Sequence, residues 1–573
     1  MSLFRQLLIA NSQKKKRPYY CEVEYLESTG TQYIDTGVKG TTTTIGVDVE
    51  WEFSNADSDM CIFSSRSNQI SNTFTLFWLK TSNNRARFDA SGQIFFNDSI
   101  NTSSNQLYRF TYKSADGDAV MYNLTNGNSE TKTVGRITTL STNNLYLFSS
   151  RDAGMVVSYI KMYYFKLYDG DTLLRDMIPV LDWDMKPCMY DKVSGQLFYN
   201  QGTGEFLYGR EIHYVEYLEG TGTQYIDTGV YFNDTTHTYE WDVDAQAINS
   251  GHTSGYNWFT GYNQNGVNSC GTYGDGVTYT FYPAGTYYQN GEKVSVPSGG
   301  DKYAPVKNII SLTNKICDYS LVLFARMVSS SNTIDAGGTK RIFTAKYYDN
   351  SVLVRDYYPA VDENGVGFMF DRVTHTIFDN AGTGAFNYPP VELEYLKTDS
   401  NTNWISTTIK PTTETNFETK VMYEGTSTTT TWALGSTTWV GVHKDGATQT
   451  IGITQGTLTE KKCYVPYENN TDITLKLDGK NVYANGILVG TVQRLNATST
   501  LDIFRYYNGS NLWWNGRIYY LKINEGGAPT LDLIPALKDG QVGMWDKVNG
   551  VLYTNAGTGS FITGRIVEKE SEV

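Results

Sequence analysis

One closing signature occurs three times along the chain. Asn200-Gln201-Gly202-Thr203-Gly204 returns as Asn380-Ala381-Gly382-Thr383-Gly384 and as Asn555-Ala556-Gly557-Thr558-Gly559. Upstream of each lies an Asp-(Lys/Arg)-Val turn: Asp191-Lys192-Val193, Asp371-Arg372-Val373 and Asp546-Lys547-Val548. An opening signature also recurs. Glu24-Tyr25-Leu26-Glu27 with Gly30-Thr31-Gln32-Tyr33-Ile34-Asp35-Thr36-Gly37 matches Glu216 to Glu219 with Gly222 to Gly229, and more weakly Glu394-Tyr395-Leu396 with Asn403-Trp404-Ile405-Ser406-Thr407. The steps between closing signatures, Gly202 to Gly382 and Gly382 to Gly557, are too long for a solenoid repeat that needs its neighbours to bury a core. Each copy is therefore a domain, and 573 residues accommodate three of them. The boundaries fall at 19–210, 211–390 and 391–565, with tails at 1–18 and 566–573.

Composition sets the class. The chain has 44 Tyr, 11 Trp and 53 Gly against 13 Pro, and Thr/Ser/Asn-rich stretches such as Thr41 to Thr44, which suit strands joined by glycine turns. No strong helical periodicity appears beyond Ser2 to Ala10, so the expectation is all-β: three tandem antiparallel jelly-roll sandwiches behind a short N-terminal anchor peptide. The glycines of Asn-x-Gly-Thr-Gly are read as a hairpin turn needing positive φ. Net charge is −13 and the single dense basic run is Lys14-Lys15-Lys16-Arg17, so a nucleic-acid-binding body is disfavoured. The cysteines lack any Cys-x-x-Cys and the five histidines lack His-x-x-x-His, so neither a disulfide framework nor zinc is indicated. No cofactor is expected and the metal content is unknown. Calcium stays open, because its oxygen ligands leave little trace in sandwich loops. No apolar run reaches the ~18 residues of a membrane span, and the N-terminus has its charges after its apolar stretch, the reverse of a secretory signal.

The opening and closing signatures together resemble concanavalin-A-like (laminin-G-like) jelly-roll modules of tailed-phage virion proteins. The likeness is greatest to head-fibre or tail-associated proteins of crAss-like gut phages, and it spans about residues 20 to 565. The third copy departs from the pattern with Leu531 opposite Arg175 and Arg355, and Ser406 opposite Asp35 and Asp227. The resemblance implies a virion surface protein made in the host cytoplasm, a head fibre or decoration, and a homotrimer. Its partners would be capsid or tail proteins bound through residues 1–18, and a host surface glycan or protein. The alternatives are an exported bacterial glycan-binding adhesin and a jelly-roll glycoside hydrolase.

Carboxylates are the first place to seek catalysis. Asp48, Glu50 and Glu52 share one strand face, and Glu240, Asp242 and Asp244 repeat the arrangement. A retaining glycosidase would need two such groups about 5–5.5 Å apart. The acid lengths are interchanged between the copies, and the third has Glu418, Lys420 and Met422 instead. A solvated acidic face is therefore expected, with no enzyme activity and no catalytic residue. The recurring Asp191, Asp371 and Asp546 fit a turn held by side-chain-to-backbone bonds. Ligand contacts are sought where the copies differ, and six tryptophans fall in the third. Trp513, Trp514 and Trp439 are the candidate ligand-binding residues. If 513–514 is extended, one indole must leave the core, for stacking on a sugar or for packing under a loop. In the N-terminal segment, Phe4, Leu7 and Leu8 would fill a groove on a partner and Lys14, Lys15, Lys16 and Arg17 would add a salt-sensitive attraction.

Overall fold

The computed structural model describes residues 17–39, 44–55, 57–66, 73–80, 85–90, 92–96, 106–134, 141, 143–150, 156–230, 237–247, 257–263, 270–274, 279–282, 285–289, 292–296, 308–313, 320–328, 333–335, 339–398, 401–426, 429–437, 440–455, 462–506 and 512–568. The chain is all-β, built from antiparallel sheets. In the first module one sheet runs, in spatial order, Asn128–Thr133, Asp118–Asn123, Leu107–Lys113, Ile45–Phe53, Ile160–Asp169, Thr172–Leu181, Pro187–Asp191 and Gln196–Phe198. The facing sheet runs from Ile34–Lys39 through Asn144–Leu147, Met60–Arg66, Thr73–Leu79 and Arg85–Ala90 to Gln93–Phe95.

Alternation fixes which residues lie between the sheets. Ile45, Val47, Val49, Trp51 and Phe53 point inward and are buried, with β-branched and aromatic side chains that suit a pleated surface. They meet an aromatic interior in which Phe88 and Phe110, from opposite sheets, have ring centroids 4.8 Å apart, and Trp51 stacks on Tyr108 at 5.8 Å.

The third module repeats this plan strand for strand. Ile487–Thr491, Asn481–Ala484, Asp472–Asp478, Thr415–Tyr423, Gly516–Glu525, Ala528–Lys538, Gln541–Asp546 and Val551–Thr554 form one sheet. The second module keeps the same central ladder from Asn308–Thr313 through His237–Ala247, Thr339–Asp349, Val352–Val361 and Gly367–Asp371 to Thr376–Phe378. Even the irregularities recur. A register shift falls between Met162 and Tyr164, between Asp242 and Val243, and between Lys420 and Val421, on equivalent strand pairs.

Two findings differ from the sequence reading. Asn-x-Gly-Thr-Gly is not a hairpin: Gln196–Phe198 pairs with Pro187–Asp191, whereas Leu207–Tyr208 crosses to Leu26–Glu27. The motif clasps the opening signature instead. Asn200 Oδ1 accepts from the Tyr33 and Gly202 backbone N–H groups at 3.0 and 2.8 Å, its Nδ2 donates to the Gly204 carbonyl, and Gln32 Nε2 donates to the Glu205 carbonyl. Asn380 and Asn555 do the same for Tyr225 and Trp404. The opening and closing signatures recur together because they bind each other.

Nor are the modules separate beads. Cys21–Val23 lies between Thr172–Leu181 of the first module and Glu211–Tyr214, which in turn pairs with Val352–Val361 of the second, so one sheet runs through both. The apolar cores of the second and third modules form a single cluster, joined around Phe386, Tyr388, Val391 and Leu537, while the first keeps its own. Ile566 is buried and bridges to Leu393, and Val567 donates to the Glu392 carbonyl at 2.7 Å, so residues 566–567 belong to the packed body.

Candidate functional site

The expected solvated acidic face is not solvated. Asp48 accepts two bonds from Arg109, at 2.9 and 2.7 Å, and one from the Tyr164 hydroxyl at 2.9 Å. Glu52 accepts from the Tyr163 hydroxyl at 3.0 Å and faces Lys161 Nζ at 3.6 Å. Glu50 is fully buried, and neither carboxylate oxygen has a hydrogen-bond partner. The physical reason is the second module. Its Arg372–His375 turn lies against this face, with the His375 ring 6.3 Å from that of Tyr164 and its Nε2 3.4 Å from Lys192 Nζ. Burial, partly offset by Arg109, pushes the Glu50 carboxyl up to about 8. Glu240 and Asp242 are half-buried on the equivalent strand, where Glu240 stands opposite Lys346; the Asp244 side chain lies outside the described residues. In the third module Glu418 accepts from the Tyr520 hydroxyl at 2.9 Å, and Lys420 pairs with Asp472. Among the described side chains, none of these strands presents two carboxylates to an open cleft.

The recurring aspartates are buried in turns. Asp191 Oδ1 accepts from the backbone N–H of Asp176 at 2.8 Å and of Val193 at 3.2 Å, and Asp371 and Asp546 hold the equivalent turns. The same turns end in a left-handed residue: Gly195 and Gly550 in the outer modules, but His375, at φ 54°, in the second.

The tryptophan pair divides between core and surface. Trp514 is fully buried, edge-on to Tyr423 at 5.1 Å, so its ring is closed to a ligand and its candidacy is withdrawn. Trp513 is half-buried and faces Trp404, also half-buried, with centroids 5.7 Å apart. Arg505 completes the group. Its guanidinium carbon lies 3.8 Å from the Trp404 ring centroid and 5.6 Å from that of Trp513. Its Nε donates to Asp502 Oδ2 at 2.8 Å, and the other Asp502 oxygen accepts from the Ser406 hydroxyl at 2.7 Å. Trp439 lies outside the described residues.

Trp404, Arg505 and Asp502 were not among the expected site residues, although the signal was there. Trp404 stands where the other copies have Tyr33 and Tyr225, and Ser406 where they have Asp35 and Asp227. Ser406 pairs in register with Asp502, so the carboxylate has moved across the ladder to hold an arginine. The result is two indoles around a guanidinium whose orientation is fixed by a buried aspartate. Such a group can stack on the C–H face of a sugar or on an aromatic side chain, each cation–π contact adding about 0.5–1 kcal/mol to the platform itself.

Of the anchoring residues, Phe4, Leu7, Leu8, Lys14, Lys15 and Lys16 lie outside the described residues. Arg17 does not belong with them. Its Nη2 binds Glu568 Oε2 at 2.8 Å, its Nε donates to the Tyr19 carbonyl, and its own carbonyl accepts from Trp183 Nε1 at 3.1 Å. Its charge is committed within the chain.

No protein-family model and no curated protein matches this chain. Among solved structures it is similar to the LG1–3 region of the laminin alpha2 chain, at 9% identity and a TM-score of 0.24, over 94% of this chain and 100% of that one. It is also similar to a candidate carbohydrate-binding protein from Bacteroides ovatus, at 9% identity and a TM-score of 0.24, over 62% and 95%. Domains LG4–5 of the mouse laminin alpha1 chain match at 11% identity and a TM-score of 0.21, over 59% and 93%.

Proposed function

We propose that this chain is a non-enzymatic glycan-binding protein displayed on the surface of a tailed-phage particle. Its three modules are bounded at 19–210, 211–390 and 391–565, and its binding site is the Trp404–Arg505–Trp513 platform of the third. The platform carries the reading: Trp404 replaces the tyrosine and Ser406 the aspartate found at the equivalent places in the other two modules, and Trp404 and Trp513 flank an oriented guanidinium. A feature that only one copy has serves something other than the shared fold. The buried Glu50 and the ion-paired Asp48 of the first acidic strand support the absence of hydrolysis. Display on a particle rests on the resemblance of the repeated signatures to virion modules, and attachment is assigned to Phe4, Leu7, Leu8 and Lys14 to Lys16. A homotrimer would let three weak platforms act together.

The test is a glycan array probed with the full chain and with Trp513→Ala. Binding to a defined glycan class that weakens at least tenfold in the folded variant is the expected result; unchanged binding overturns the site. Deletion of residues 1–16, followed by purification of particles, tests the attachment. Normal occupancy of the shortened protein would remove the anchor, and absence of the full chain from particles would favour the exported adhesin.

A further inference from the structure

The first strands of the first two modules meet where the far end of the third packs, and the meeting brings together three metal-binding side chains. Cys21 Sγ, a Glu211 carboxylate oxygen and a His213 ring nitrogen all lie within 4.8 Å of one another. Cys21 and His213 are buried and Glu211 is half-buried. Spacing along the chain gave no hint of this, because the cysteine opens the first module and the other two open the second. Register creates it: Val23 pairs with Glu211 and Glu22 with Ile212.

We propose that Cys21, Glu211 and His213 bind a divalent transition metal of the zinc class, which clasps the first module to the second. The ligand set is of the right kind, since thiolate with imidazole and carboxylate suits zinc rather than calcium or magnesium. The dimensions fit as well. Bonds of about 2.0–2.3 Å in a tetrahedron set ligand atoms roughly 3.3–3.8 Å apart, so the group needs only small side-chain movements.

The surroundings orient the imidazole. His213 Nδ1 lies 2.5 Å from Glu568 Oε1, while the other Glu568 oxygen is held by Arg17 at 2.8 Å. A carboxylate on one ring nitrogen is the arrangement that fixes a metal-bound histidine and makes its other nitrogen more basic. That other nitrogen, Nε2, points to Glu211 Oε2 at 2.9 Å. A cation entering between them displaces the Nε2 proton and the Cys21 thiol proton to solvent and takes up the negative charge of Glu211 and the new thiolate. Three protein ligands leave the fourth position to water.

Cobalt is the reporter, because its bond to a thiolate gives a charge-transfer band and its tetrahedral form gives intense visible bands. The full chain is stripped with chelator and titrated with Co2+, then with Zn2+. The expected result is a thiolate-to-cobalt band saturating at one equivalent, bleached by zinc, with a rise in Tm of several degrees on zinc addition. Cys21→Ser should lose the charge-transfer band, His213→Gln should lose tight binding, and Cys188→Ser, which removes a buried thiol elsewhere, should keep both. Absence of a saturable band in the wild-type chain overturns the proposal without recourse to any variant, leaving a hydrogen-bonded junction only. So does a band that survives in Cys21→Ser.

Discussion

Gly202, Gly382 and Gly557 have no room for a side chain. A Cβ would lie 1.9, 2.0 and 1.8 Å from the carbonyl oxygens of Thr31, Thr223 and Thr402. Gly382→Ala should therefore cost about 2–3 kcal/mol, read as a lowered denaturation midpoint, because the clasp must open to accept the methyl group. The glycines were visible as a motif, but their reason was not, since the opposing carbonyl comes from the other end of the module. Glu50 teaches a related lesson. Alternation along Ile45–Phe53 correctly put it on the outer face; nothing local says that another module covers that face. Arg109, Asp48, Tyr164 and, from the second module, Arg355 and Asp371 surround it. Its carboxyl, ordinarily at 4.5 and here lifted to about 8 by burial, keeps a proton that the unfolded chain releases. Its contribution to stability is thus full below pH 4.5 and is lost as pH rises through about 8. Glu50→Gln should flatten the dependence of Tm on pH across that window and raise stability at its upper end by about 1–4 kcal/mol. A variant with the wild-type pH profile would show that Glu50 is charged in the folded chain.

At the scale of elements, neighbouring residues of one strand part company. Trp513 and Trp514 are adjacent, yet one is at the surface and the other is fully buried beside Tyr423. Trp514→Ala should cost about 3–5 kcal/mol in a chemical denaturation curve, as expected for emptying a core site, and Trp513→Ala less than about 1. The reverse ranking would mean that the surface indole is the structural one. Strand class was legible throughout, because glycine turns, alternation and β-branched residues agree. The choice between the two indoles was not, since it depends on the register of a short segment against Thr431–Ser436 and Phe504. The platform was half-legible: Trp513 and Ser406 stand out where the third copy differs, but Trp404, Arg505 and Asp502 gain meaning only once the ladder sets Ser406 opposite Asp502.

For the whole molecule, the distribution of apolar cores predicts how it comes apart. The second and third modules share one cluster and the first has its own, so calorimetry should give two transitions rather than three. Tyr388 joins the pair: its hydroxyl donates to the Gly365 carbonyl at 2.8 Å and accepts from the Gly540 N–H at 2.9 Å. Tyr388→Phe should lower the shared transition by an amount equivalent to about 1–3 kcal/mol and leave the other in place. A shift of both transitions would mean that all three modules melt as one. The repeat revealed how many modules to expect but not their closure, because the segments that join them, such as Cys21–Val23 and Glu211–Tyr214, hold equivalent places in their copies and carry no mark of the partner they meet. That closure has a consequence in time. Arg17 grips Glu568, 551 residues further along. On a ribosome adding about 5–20 residues per second, roughly half a minute to two minutes separate the emergence of the two. Throughout that interval this edge of the first module waits without the neighbour that Glu568 brings, so it is locked long after it is made.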